Sequence, residues 1–444
     1  MPCGICALPE NGAMLLESLC IVFAPALVQS GDVPDRKEQE ALVMEYLAVK
    51  RYSREGHAHG LKVLESLRAV PFPGKRDLKR WNSFFAKYKK ALPQLPKEAG
   101  EYVDLEDGRG RYLLAGQLRR PLALFVGLHG GGEGSGDASS SRGMYAQALT
   151  KRGWLGIFPE VLEKTERGWT DSGTEEWVLS LIDRALDTFE IDPDQVFLGG
   201  HSMGGYGSWV IGADHADRFA ALLPSAGAPS FVMNRSRGTI HVQKGVIPNL
   251  RNTPMCVFQS TDDPKVGPEA NQAAVRDLKM ARERWGGFED FEYWEVGDRG
   301  HGLPEGGAEA LLAKIDSHKR TTAPTYLVWQ PRVDWKQQFH WLLWEVGAEV
   351  KGTVIAKVDR VRGSVDVRLE RTQGQGLCVL LSDALVDMER EVTVFVNGVK
   401  AFEGLPQVTE AGLYLPQEAR PLARIVARSF DAYDLSKAGH SAAI

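Results

Sequence analysis

Residues 196–209 read VFLGGHSMGGYGSW: apolar residues suited to a buried strand, two glycines, His201, a lone Ser202, then Met203 and further glycines before a helix can settle. Glycine at a strand end or a helix start costs backbone order, so its repetition marks a place that side chains cannot occupy. Gly200-His201-Ser202-Met203-Gly204 fits G-x-S-x-G, in which a serine on a strained strand-to-helix turn projects its hydroxyl above a sheet. The glycines at either end of the pattern, Gly200 and Gly204, let neighbouring strands and the helix come close. Five residues match by chance in many chains. The weight comes from context, since DPDQ, a turn, precedes the strand and a helical pattern follows.

Working outward, LFVGLHGGGEG (124–134) sets His129-Gly130-Gly131-Gly132 directly after a buried strand. Backbone N–H groups of such a loop can hold a developing oxyanion, with Gly130 or Gly131 giving one donor and Met203, at the helix start, the other. His129 reads as a brace for the loop. A serine hydroxyl is a poor nucleophile until a histidine takes its proton and a carboxylate orients that histidine. CVFQSTDDPKVGPEA (256–270) sets Asp262 and Asp263 just past a strand end. The next strand, FEYWEV, opens into GDRGHGLPEGG, which carries His301 on a loop before a helix. His57 and His59 lie in N-terminal helical patterns, His201 and His215 flank the serine, and His318, His340 and His440 come after these elements. His301 is therefore the candidate base.

These motifs resemble those of α/β-hydrolase serine esterases over residues 122–307. DPDQVFLGGHSMGGYGSW, DRFAALLPSAG and NLRNTPMCVFQSTDD are similar to the carboxylesterase, feruloyl esterase and polyhydroxyalkanoate depolymerase branch. The resemblance implies a doubly wound, mostly parallel sheet and the chain order serine, acid, histidine. It also implies an ester substrate, small or polymeric, cleaved through an acyl-enzyme with no cofactor and no metal. Asp263-Pro264 followed by Val266 resembles the D-P-x-V step of many hydrolase acid loops, which favours Asp263 as the acid. Asp262 remains the alternative, otherwise a turn cap. Relatives of this branch usually carry His-Gly where this chain has Gln259-Ser260.

The 444 residues carry 53 basic and 58 acidic side chains, a formal charge of −5. That balance argues against a nucleic-acid partner. The length predicts a main domain of roughly 200–250 residues with smaller attachments. Residues 31–100 read as a helical segment, with EQEALVMEYLAVKRY, GLKVLESLRAV and LKRWNSFFAKYKKAL broken by Gly and Pro. Residues 101–320 alternate apolar strands with helices, the pattern of a parallel sheet covered on both faces. Residues 321–444 read as short alternating strands, a separate sandwich-like all-β module with a VNGV hairpin signal. A triad complete before Thr321 predicts that cutting there lowers solubility and stability, and that a well-folded truncate keeps most of its turnover of a small ester.

The five cysteines are odd in number and lack the paired spacing of a disulfide framework. Cys3 and Cys6 form a CxxC with no second pair or nearby histidines to complete a metal site, and Cys256, in PMCVF, reads as a small buried hydrophobe. Met14 to Ser30 is apolar, ends in small residues and is too short and proline-broken to span a bilayer. It makes residues 1–30 a candidate secretory leader, predicting a periplasmic or extracellular protein. No Lys or Arg precedes Arg36, so the basic n-region is missing and a cytoplasmic location stays open. No integral membrane segment is expected, and the oligomeric state is not legible.

Two other readings carry weight at this point. A serine peptidase of prolyl-oligopeptidase type shares the core and triad, but would call for a β-propeller that the short helical N-terminal segment does not supply. A polymer- or glycan-binding protein on a hydrolase scaffold is suggested by Trp329, Trp335, Trp341 and Trp344, whose clustering fits interdomain packing better.

Overall fold

The computed structural model describes residues 22–23, 34–48, 54–66, 94–105, 108–345, 348–406 and 423–426. The Cys3–Cys6 pair, all of the leader but Val22–Phe23, and the third N-terminal helical pattern lie outside the described residues.

Eight strands form the central sheet: β1 (Gly100–Val103), β2 (Arg111–Gly116), β3 (Leu124–Leu128), β4 (Leu155–Pro159), β5 (Val196–His201), β6 (Ala221–Ser225), β7 (Met255–Ser260) and β8 (Phe291–Val296). Their order is β1-β2-β4-β3-β5-β6-β7-β8. β2 runs antiparallel to both its neighbours and every other contact is parallel. β3, β4 and β6 are buried at every residue, as strands covered on both faces must be.

Among the described residues the α-helices in chain order are α1 (Arg36–Ala48), α2 (Arg54–Ser66), α3 (Ala138–Arg152), α4 (Thr174–Phe189), α5 (Met203–Asp214), the single turn α6 (Val246–Asn249), α7 (Glu269–Trp285) and α8 (Gly307–Leu312). The period-two alternation of β3 divides them between two layers. Leu124, Val126 and Leu128 belong to one apolar cluster with α4 and α5, whereas Phe125 belongs to a second with Tyr145 and Leu149 of α3 and Leu311 of α8. α3 shows how local sequence sets such an element. Asp137 caps its start by accepting from the Ser140 amide at 3.1 Å, and Gly153, at φ 68°, ends it after Lys151 and Arg152.

This is the α/β-hydrolase fold. The strand order reverses at β3, because β4 lies on one side of it and β5 on the other. Loops leaving the carboxyl ends of β3 and β5 therefore face each other across a crevice, where ligands of open α/β sheets bind. The His129 loop leaves one of those ends and Ser202 the other.

Beyond the core, two five-stranded sheets follow. One holds Tyr326–Trp329, Thr353–Asp359, Ser364–Glu370, Val392–Val396 and Val399–Gly404. The other holds Gln338–Phe339, Leu342–Trp344, Leu377–Leu381, Ala423–Val426 and Val22–Phe23. Their buried faces share one apolar cluster, as in a sandwich. Asn397 and Gly398 both take positive φ in the VNGV turn, as a two-residue hairpin of the predicted kind requires.

The seam with the core is aromatic and ionic. Trp329, Trp341 and Trp344 are fully buried, and Trp335 stacks on His215 at 5.5 Å. Arg332 Nε donates to Asp214 at 2.8 Å, and Lys336 Nζ donates to Asp217 at 2.5 Å and to His215 Nδ1 at 3.3 Å. His215 Nε2–H in turn donates to Glu175. Asp214 and His215 end α5, so the β region grips the helix that begins after Ser202.

Candidate active site

Ser202 sits at φ 61° and ψ −121°, between the last residue of β5 and the first of α5. A side-chain-bearing residue with this backbone costs about 1–3 kcal/mol, which the surroundings must offset. Its amide donates to the Ser225 carbonyl at 2.9 Å, and its own carbonyl accepts from the Tyr206 amide at 3.0 Å. The glycines are explained by contact. A Cβ on Gly204 would stand 2.1 Å from the Leu128 carbonyl oxygen, and one on Gly200 would stand 2.6 Å from the Gly204 carbonyl oxygen.

His301 lies between the serine and the acid. Its Nε2 is 2.9 Å from Ser202 Oγ, and its Nδ1 is 2.8 and 3.0 Å from the two carboxylate oxygens of Asp263. The Asp263 carboxylate is buried. Burial would raise its pKa, but hydrogen bonds from the Val266 amide, the His301 ring and the Lys265 amide outweigh burial and hold the carboxyl below its ordinary value. An ionised Asp263 accepts Nδ1–H, which leaves the Nε2 lone pair facing the hydroxyl.

Asp262 takes a different place. Its Oδ1 accepts from the Ser260 hydroxyl and from the amides of Arg299 at 3.3 Å and Gly300 at 3.0 Å, the two residues before His301. It is a cap for the histidine loop, reached across 38 residues of chain, and does not touch the ring. Gln259 and Ser260 belong to the same scaffold: Gln259 Nε2 donates to the Val266 carbonyl and its Oε1 accepts from Asn271, while Ser260 supports Asp262. The sequence offered no signal for these long-range partners.

The glycine loop after β3 faces the serine. A Cβ on Gly130 would meet Ser202 Cβ at 3.2 Å. Gly131, at φ 149°, has the Ser135 carbonyl oxygen 2.6 Å from where its Cβ would stand. His129 braces this loop from beneath, fully buried. Its Nδ1–H donates to the Gly130 carbonyl at 2.8 Å, its Nε2 accepts from the Val161 amide at 3.2 Å, and its carbonyl accepts from Trp169 Nε1. Burial lowers its pKa, so it stays neutral with the proton on Nδ1.

A cavity of about 490 Å³ opens over these groups, lined among others by Gly130, Gly131, Met144, Lys265, Ser202 and His301. That is the size of a small-molecule site. Among the described residues no cluster of His, Cys, Asp or Glu is arranged to hold a metal ion, and no helix is long and apolar enough to cross a membrane.

No protein-family profile matches the chain. A stretch of 92 residues is 40% identical to part of an oxygen-independent coproporphyrinogen III oxidase of Cereibacter sphaeroides. The match covers 19% of this chain and 19% of that protein, so the chain spans about a fifth of the length of the curated relative. Solved structures similar in part include a thermostable esterase, at 20% identity and TM-score 0.37, over 50% of this chain and 63% of the other. A ferulic acid esterase of Anaeromyces mucronatus, solved with ferulic acid, matches at 15% identity and TM-score 0.35, over 50% and 89%. Est1E of Butyrivibrio proteoclasticus matches at 14% and 0.35, over 49% and 99%.

Proposed function

We propose that the protein is a serine hydrolase that cleaves carboxylic esters through an acyl-enzyme. The observation that carries this reading is the single imidazole of His301, within hydrogen-bond reach of Ser202 Oγ on one nitrogen and of Asp263 on the other. In this reading Ser202 Oγ attacks the ester carbonyl as His301 Nε2 takes its proton, and Asp263 holds the ring and stabilises the imidazolium. The tetrahedral intermediate then collapses, expelling the alcohol, which leaves with the proton returned by His301. Water, deprotonated by the same nitrogen, attacks the acyl-Ser202 ester and releases the carboxylic acid.

The oxyanion is assigned to the amides of Met203 and of Gly130 or Gly131. The first N–H groups of α5 have no partner within their own helix. The Gly130 carbonyl is turned into its loop, towards His129, so across the trans peptide plane the Gly131 N–H is turned out of it. Removing one such donor costs about 10²–10³ in kcat.

A fluorophosphonate should label wild-type protein and not Ser202→Ala, while the far-ultraviolet circular dichroism of the two stays the same. Label retained by Ser202→Ala would sink the proposal. A panel of p-nitrophenyl esters, feruloyl sugars, acetylated xylan and peptide amides then separates esterase from peptidase and orders the acyl groups. Export to a periplasmic or extracellular compartment is proposed with the leader of residues 1–30, and is tested by locating the protein in fractionated cells and sequencing its mature N-terminus.

A further inference from the structure

The G-x-S-x-G pattern leaves the residue before the serine open, and here it is His201. It closes β5, half-buried and among the residues that line the cavity, with its ring against the histidine loop. His201 Nε2 lies 3.1 Å from the main-chain carbonyl oxygen of His301, and Nδ1 lies 3.3 Å from Ser225 Oγ. A carbonyl can only accept, so Nε2 carries the proton and Nδ1 is left to accept the Ser225 hydroxyl. The two histidine rings lie 4.9 Å apart, tilted by 52°. The titratable groups facing His201 are His301, Asp263 and Lys265. Burial first, then the neighbouring His301, push its pKa down to about 4. The ring therefore stays neutral near pH 7, and adds no second cation when His301 is protonated.

The loop that it touches needs holding. Asp298 at φ 62° and Gly300 at φ 51° bend the chain just before His301. Asp262 ties that bend by its amides on one side; on the other side His201 ties the carbonyl of His301 itself.

We infer that His201 is a positioning residue: its Nε2–H, given to the His301 carbonyl, sets where the histidine loop stands so that the base meets Ser202. This rests on the esterase reading. A displacement of about 1 Å at a reacting group can cost about 10²-fold in rate.

The test compares His201→Gln with His201→Asn on p-nitrophenyl acetate. The Gln amide nitrogen falls about where Nε2 lies and keeps the donor; the Asn nitrogen, one methylene shorter, falls about where Nδ1 lies and loses it. His201→Asn should lower kcat about 100-fold with KM nearly unchanged, while His201→Gln keeps most of kcat and both melt near the wild-type temperature. Ser225→Ala, a smaller change at the same contact, frees the ring to turn and should lower kcat about tenfold with KM held; this arm reads the contact even if His201→Asn does not fold. Folded Gln and Asn variants with equal kcat, or Ser225→Ala with wild-type kcat, overturn the inference. Fluorophosphonate labelling separates the two levels. Wild type labelled at Ser202 with indifferent His201 variants sinks this inference alone, whereas wild type without label sinks the esterase reading beneath it as well.

Discussion

Asp262 and Asp263 are neighbours in the chain, yet they hold His301 by different handles. Asp263 faces the ring and Asp262 the amides before it. In Asp263→Asn the remaining oxygen can still accept the Lys265 and Val266 amides, so the turn persists. The new NH₂ then faces Nδ1 and forces the wrong tautomer, which predicts a loss of roughly 10⁴ in kcat with the fold retained. Asp262→Asn weakens only the loop cap and should cost about tenfold or less. Steady-state kinetics on p-nitrophenyl acetate checks both, and the reverse order would move the acid to Asp262. D-P-x-V made Asp263 the better candidate in the sequence. That Asp262 clamps the histidine loop was not legible there, because the partners are amides 37 and 38 residues away.

At the scale of an element, the elbow is a strand, a strained residue and a helix pressed against the next loop. Its glycines differ in what they permit. Gly204→Ala drives a methyl into the Leu128 carbonyl, which is backbone and cannot turn aside. We expect a loss of about 1–3 kcal/mol in stability, read by urea unfolding, together with a fall in activity as Ser202 shifts. Gly132→Ala serves as the contrast, since nothing lies within 4 Å of its Cβ and its stability should be unchanged. The sequence shows five glycines of the same kind around residues 199–207; which of them face backbone depends on how closely β3 and β6 approach, a property of the packed sheet.

At the scale of the whole molecule, the β region is joined to α5 by buried charge. Cutting near Thr321 removes Arg332 and Lys336, the cationic partners of Asp214 and Asp217, and takes Trp335 off His215 at the end of α5. Breaking one buried pair costs about 3–5 kcal/mol, so the truncate should be insoluble or lack a cooperative melt, and Lys336→Met alone should destabilise by about that amount. A soluble truncate with a sharp transition would show that the seam contributes little. The same burial predicts a pH dependence. The folded protein lowers the pKa of His129, His201, His215 and His340, the last to about 4 through burial. The unfolded chain, with histidines near 6.5, then binds more protons as pH falls from about 6.5 to 4, so stability falls over that window. Buried Asp214, raised to about 6, and Glu175, also raised, work in the opposite sense, two groups against four. The melting temperature should therefore drop across this range, and His340→Gln should flatten the drop; a steeper one would reverse the sign assigned to His340.

What the sequence determined by itself was local and chemical. Apolar runs bounded by turns, a serine between glycines, an acid past one strand and a histidine past the next are properties of neighbouring residues, and they marked out the sheet and the candidate site. Tertiary structure alone decided which atoms meet. His201 reaches the His301 carbonyl across 100 residues, Gln259 ties the acid loop, and Lys336 meets Asp217 across 119. Such contacts join residues whose types are ordinary and whose spacing in the chain carries no period. They become specific only when the strand order brings the carboxyl ends of β5, β6, β7 and β8 to one end of the sheet, and burial then makes each hydrogen bond costly to leave unmade.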